Sequence, residues 1–135
     1  MLINHDCLKA ILNVFAESEE ADMPLLNVVE SPLLYEFNEE QLKFHLQRMA
    51  DLRWIVSNTT NQTYEMLDKQ GRTQWSYARW RWTEYASQYW DASEQIPVWE
   101  EFKKRTGKES LDFSFQLLKG YSQKWLEKKI SEFEI

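Results

Sequence analysis

The chain has 135 residues, three glycines, three prolines and one cysteine. That is the length of a single domain, too poor in Gly and Pro for a loop-rich β-sandwich or a disordered chain, and unable to form an internal disulfide. Hydrophobic residues make up 43% and aromatics 15%, with seven Trp, so large flat side chains must build much of the core. The net charge of −6 weighs against nonspecific nucleic-acid binding, but the charge is unevenly spread. Residues 1–40 carry one Lys and nine acids, residues 41–83 seven Lys/Arg and three acids, and residues 84–135 eight Lys/Arg and ten acids. One cationic segment therefore sits inside an acidic protein.

Leu8, Ile11, Leu12 and Phe15 recur at helical spacing and predict a helix over 5–17, capped by Asn4 or Asp6, with Cys7 as a small buried residue on it. Residues 17–22 are an acidic exit. Leu25, Leu26, Val28 and Val29 suggest a short strand, and Pro32 can open a helical turn toward Phe37. Asn38 followed by Gln41 resembles a capping box and starts a helix to about Leu52. Its buried stripe is Leu42, Leu46 and Met49, with His45 at the edge as a structural residue. Lys43, Phe44, Gln47 and Asp51 point outward, with Arg48 on the flank.

Trp54 to Val56 reads as a strand, Asn58 to Gln62 as a polar turn and Thr63 to Leu67 as the returning strand of a hairpin. A further strand over 74–82 alternates Trp75, Tyr77, Arg79 and Arg81 with Ser76, Ala78, Trp80 and Trp82. Thr83 caps a helix through Trp90, a second helix spans about 97–106, and a third runs from Ser110 to Ile130 with Phe113, Leu117, Leu118, Tyr121 and Trp125 as its inner face, closing the core against the first helix. This order predicts a mainly helical α+β domain. It reads as a winged helix-turn-helix over about 1–83, with a small β-hairpin, and a helical C-terminal extension over about 84–135.

From the second long helix onward, the residue order resembles a family of small winged-helix proteins of unknown function found in bacteriophages and prophages. Asp6-Cys7-Leu8-Lys9-Ala10-Ile11-Leu12 is similar to that family's opening. Phe44-His45-Leu46-Gln47-Arg48-Met49, continuing to Leu52-Arg53-Trp54-Ile55, resembles its Tyr-His-x-x-Leu-Leu helix and Ala-Gly-Leu-Ile exit. Trp82-Thr83-Glu84-Tyr85-Ala86-Ser87-Gln88-Tyr89-Trp90-Asp91, with Trp99 eight residues on, resembles Leu-Thr-x-x-Gly-His-x-Phe-Leu-Asp and its following Trp. Ser110-Leu111-Asp112-Phe113 and Leu117-Leu118-Lys119 are similar to the family's ending. Arg53 stands where the family has Gly, and Ala86-Ser87 replace Gly-His. The resemblance implies a phage-type, DNA-binding-like fold and no established activity.

In a helix-turn-helix protein the second helix enters the major groove, where Arg, Lys and Gln read base edges. The expected double-stranded DNA contacts are Lys43, Gln47 and Arg48 on the helix, Asn58, Thr60, Asn61 and Gln62 at the wing tip, and Arg72, Arg79 and Arg81 on phosphates. Trp75, Trp80 and Trp82 among the arginines offer either a stacking surface for single strands or ordinary core. The acids of 17–40 are either a solvated loop or a DNA-mimicking surface for a host protein, the alternative function. The last helix is either core or a homodimer interface. His5 and His45 lie on different helices, and no phosphate loop, nucleophile triad or metal-spaced carboxylate set is present. The expectation is no enzyme, no catalytic residue, no metal and no cofactor. A basic leader and a long apolar run are both absent, which predicts a cytoplasmic protein without a membrane segment.

Overall fold

The computed structural model describes residues 1–57, 68–69, 72–73, 75 and 78–133. Among them six α-helices surround a three-strand antiparallel sheet: α1 (His5–Glu17), β1 (Met23–Pro24), α2 (Leu25–Val29), α3 (Glu39–Asp51), β2 (Ile55–Ser57), β3 (Asp68–Lys69), β4 (Arg72–Thr73), β5 (Arg79–Trp82), α4 (Glu84–Ser93), α5 (Ile96–Arg105) and the long α6 (Leu111–Phe133). The strand order is β1-β5-β2, and β3 and β4 make a separate two-strand ladder.

Local chemistry explains most helix boundaries. The Asn4 side chain accepts from the Cys7 N–H and starts α1, which buries Leu8, Ile11, Leu12 and Phe15 along one face. Pro32 opens a 3-10 turn over Pro32–Leu34. At α3 the Asn38 side-chain Oδ1 accepts from the Gln41 N–H at 2.9 Å while the Gln41 side chain accepts from the Asn38 N–H at 3.0 Å, a complete capping box. Leu42, Leu46 and Met49 are buried beneath it. The helix ends with Arg53 in the left-handed region, φ 59°. Trp54 N–H donates to Met49 O at 2.7 Å and Arg53 N–H to Ala50 O at 3.1 Å, a Schellman stop in which Trp54 and Met49 are both buried.

Two expectations are corrected. Leu25–Val29 is a helical turn and not a strand: after Pro24, Leu25 and Val28 fall at i, i+3 and are the two buried residues. Among the described residues β2 pairs with β5, with Ile55 opposite Trp82 and Ser57 opposite Trp80. The expected return strand at 63–67 lies outside the described residues. On α6 the buried residues are Leu111, Ser114, Phe115 and Leu118, whereas Phe113 is 55% exposed. Two residues from Phe115 means 200° around a helix, so Phe113 faces away from the body. The main partners of α6 are α4 and α5, not α1.

Trp80 is wholly buried in the middle strand, and its neighbours Arg79 and Arg81 point outward by strand alternation. Buried side chains form one continuous cluster from Cys7 on α1 to Leu118 on α6. Tyr89 of α4 lies at its centre, 5.0 Å from Trp54 and 5.9 Å from Trp99, ring centre to ring centre. Thr83 is the N-cap residue of α4, as expected, but its hydroxyl makes no cap hydrogen bond; it donates to Arg53 O at 2.7 Å and ties α4 to the end of α3.

Arg53 bears the strain of a left-handed conformation that Gly adopts without a Cβ penalty. Arg53→Gly should therefore raise unfolding free energy by about 0.5–1 kcal/mol. Equilibrium urea unfolding checks this, and an unchanged or lower midpoint would show that the turn is not strained.

Candidate nucleic-acid interface

The outer side of α3 carries the residues expected to read a groove. Lys43 and Gln47 are half-buried and Arg48 is exposed. The Arg48 guanidinium lies 4.9 Å from the centre of the Phe44 ring and 3.5 Å from the Asp51 carboxylate. Both partners lie on its own helix, three and four residues away, so Arg48 is braced along the surface of α3. Glu39 and Glu40 occupy the first turn, where the helix dipole favours acids. They also place negative charge at the end of the same helix.

Arg79 does not join this face as a free cation. Its Nε donates to Asp22 Oδ1, and its Nη2 donates to Glu20 Oε2 and, at 2.8 Å, to Asp22 O. These hydrogen bonds hold the guanidinium pKa above its ordinary value. Arg79 thus clamps the acidic loop after α1 to the middle strand, and a phosphate would have to displace two carboxylates. Arg81 is exposed, with Nη1 donating weakly to Trp82 O at 3.4 Å. Arg72 has its backbone in β4. Asn58, Thr60, Asn61 and Gln62 lie outside the described residues.

The tryptophans expected as core or stacking surface belong to the body. Trp80 is wholly buried, Trp75 and Trp82 pack half-buried against the core, and Trp82 meets Trp90 edge-on at 5.9 Å. Trp80 therefore offers no ring face to a base.

One feature of the α3 face had no signal in the sequence. Met1, Leu2 and Ile3 lie beside Phe44, Arg48 and Leu52, and Leu111 at the start of α6 closes the far side of a groove of about 340 Å³. The outer face of α3 is therefore a mixed surface, cationic at Lys43 and Arg48 and apolar toward the chain's first residues.

His45 fastens those first residues. It is 1% exposed; its Nε2 accepts from the Asn4 N–H at 2.8 Å, and its Nδ1–H donates to Gln41 O at 2.7 Å. This arrangement fixes the neutral tautomer. Burial lowers the His45 pKa. His5 shares a 2.8 Å hydrogen bond with the Tyr89 hydroxyl and packs edge-on against Phe102 at 4.7 Å. Burial, with a smaller contribution from the nearby His45, lowers the His5 pKa to about 4. Burial likewise pushes the Cys7 thiol up to about 12, so it is an inert core group. No group of three His, Cys, Asp or Glu among the described residues has the geometry of a metal site. No helix among the described residues is long and apolar enough to cross a membrane.

Compared with known protein families, curated proteins and solved structures, the chain matches none of them.

The two histidines give a pH dependence of definite sign. Their folded pKa values lie below the unfolded value of 6.5, so the unfolded chain takes up protons first. Their contribution is complete above pH 6.5 and is lost as pH falls below it, for His5 down to about 4. The melting temperature should fall between pH 7 and pH 5, and His5→Asn with His45→Gln should flatten that slope. An equally steep slope in the double variant would place the titration elsewhere.

Proposed function

We propose that the chain is a non-enzymatic winged-helix protein of the phage and prophage type, without metal or cofactor. Its binding face is the outer side of α3 with the hairpin that follows, and this face binds double-stranded DNA in a regulatory role. The observation that carries the reading is the order of elements combined with the strand order β1-β5-β2. Helix, short strand, two helices and a hairpin whose second strand pairs between the other two is the arrangement in which a helix is presented to the major groove and the hairpin lies beside it. In this reading α3 is the recognition helix, residues 58–78 contain the wing, and Lys43, Gln47, Arg48 and Arg81 are the described contacts. Fold alone does not give function, so the chemistry of this face must carry the DNA claim.

Phosphate-driven binding releases counterions and weakens steeply with salt, by roughly 0.9 log units per contacted phosphate for each tenfold rise in salt. Duplex binding at low salt should show such a slope. Lys43→Ala with Arg48→Ala should weaken binding on the order of tenfold or more and make the slope shallower by about two. Absence of duplex binding at low salt would exclude the reading, and unchanged affinity in the double variant would take α3 out of the contact.

A protein partner is the second reading, and one observation favours it: the α3 face carries an apolar groove at Met1, Leu2, Phe44 and Leu52, while Glu20 and Asp22 occupy Arg79. Leu52→Glu would then abolish partner binding while leaving any salt-sensitive DNA affinity nearly unchanged.

A further inference from the structure

We propose that α6 pairs antiparallel with α6 of a second copy through the face it turns away from the body. This stands independently of what α3 binds.

The inner face of α6 is Leu111, Phe115 and Leu118. Diametrically opposite, Phe113, Gln116, Gly120, Gln123, Glu127 and Ile130 lie on one stripe at alternating spacings of three and four, the geometry of a two-helix seam, with apolar residues at its ends and Gln, Gly and Glu between them. All six are exposed, and Phe113 and Ile130 at the two ends are 55% and 49% exposed. Beside this seam, Leu126 is 52% and Phe133 89% exposed. None of residues 126–133 is buried, so the last two turns carry apolar side chains that none of the described residues covers.

Gly120 sits at the middle of the seam. Glycine is unfavourable in a helix interior, and a Cβ there would meet nothing within 4 Å in this chain. Internal packing gives no reason for it, whereas close approach of a second helix does.

The seam is complementary to itself in one direction only. Run antiparallel about its centre, Phe113 meets Ile130, Gln116 meets Glu127 and Gly120 meets Gln123, each twice. The flanks then place Lys119 beside Leu126 and Lys124 beside Leu117, so the lysine stems cover apolar groups with their ammonium heads in water. Run parallel, the same seam sets Glu127 against Glu127 and Lys119 against Lys124, like charges on both counts. The apolar ends, the central glycine and the charges therefore agree on an antiparallel second copy as the occupant.

Light scattering on the eluting full-length chain should give twice the 16.4 kDa chain mass. Phe113→Glu with Ile130→Glu should return it to the single mass with unchanged helix content by circular dichroism. The register is read by cysteine pairs, because Cys7 is wholly buried and does not compete. Phe113→Cys with Ile130→Cys should crosslink two chains on mild oxidation, while neither single substitution does. A single-chain mass for the unmodified protein would overturn the proposal. So would a dimer that survives the glutamate pair, and so would crosslinking by Ile130→Cys alone, which would bring the two tails together instead.

Discussion

Burial of Trp80 sets the frame on which the rest of the molecule is hung. The indole fills the interior from the middle of β5, so β5 must lie between β1 and β2 and not at an edge. Strand alternation then sends Arg79 and Arg81 outward on either side of it. Because β1 directly follows the acidic loop, Arg79 emerges against Asp22 and Glu20 and ties that loop down. Because β2 directly follows α3, the Schellman stop at Arg53 determines where the outer side of α3 faces.

The same frame joins the N-terminal half to the C-terminal helices. Tyr89 of α4 packs against Trp54 at the foot of β2 and shares a hydrogen bond with His5 of α1. Trp90 donates to Asn13 of α1 at 2.8 Å, and the Lys9 ammonium donates to Ser93 O at 2.7 Å. The helical extension is thus integral to one core. The buried, hydrogen-bonded His45 joins the start of α1 to α3, so the residues beside the α3 face are set by the same packing.

Features fixed within a few residues were legible in the sequence. The Asn38–Gln41 capping box, the apolar stripe of α1, the Pro32 turn and the structural role of His45 each depend on spacing along one element. Features made by distant residues were not. Arg79 and Asp22 are 57 residues apart, and no local pattern distinguishes an arginine aimed at phosphate from one clamped by carboxylates. The pairing of β2 with β5 sets Val56 opposite Arg81, residues 25 apart that are neighbours only through the folded sheet, and no local pattern announces it. On α6 two apolar periodicities overlap, one through Leu111, Phe115 and Leu118 and one through Phe113 and Ile130, and composition alone did not say which faced inward. The groove at Met1 and Leu2 exists only because α1 and α6 both begin beside α3.

Electrostatically, the cationic middle segment is not simply a surface for nucleic acid. Part of its charge serves the fold, through Arg79, and part is braced along α3, through Arg48 over Phe44. The residues proposed to meet a partner are Lys43, Gln47 and Arg48 on α3 and Arg81 on the sheet. The most direct measurement is residue-resolved: backbone amide shifts of the labelled chain during titration with a short DNA duplex. The account predicts perturbations concentrated at Lys43, Gln47, Arg48 and Arg81 and in residues 58–78, while α5 and the last turns of α6 stay unchanged. Perturbations centred on α5 or α6, or none on α3, would contradict it.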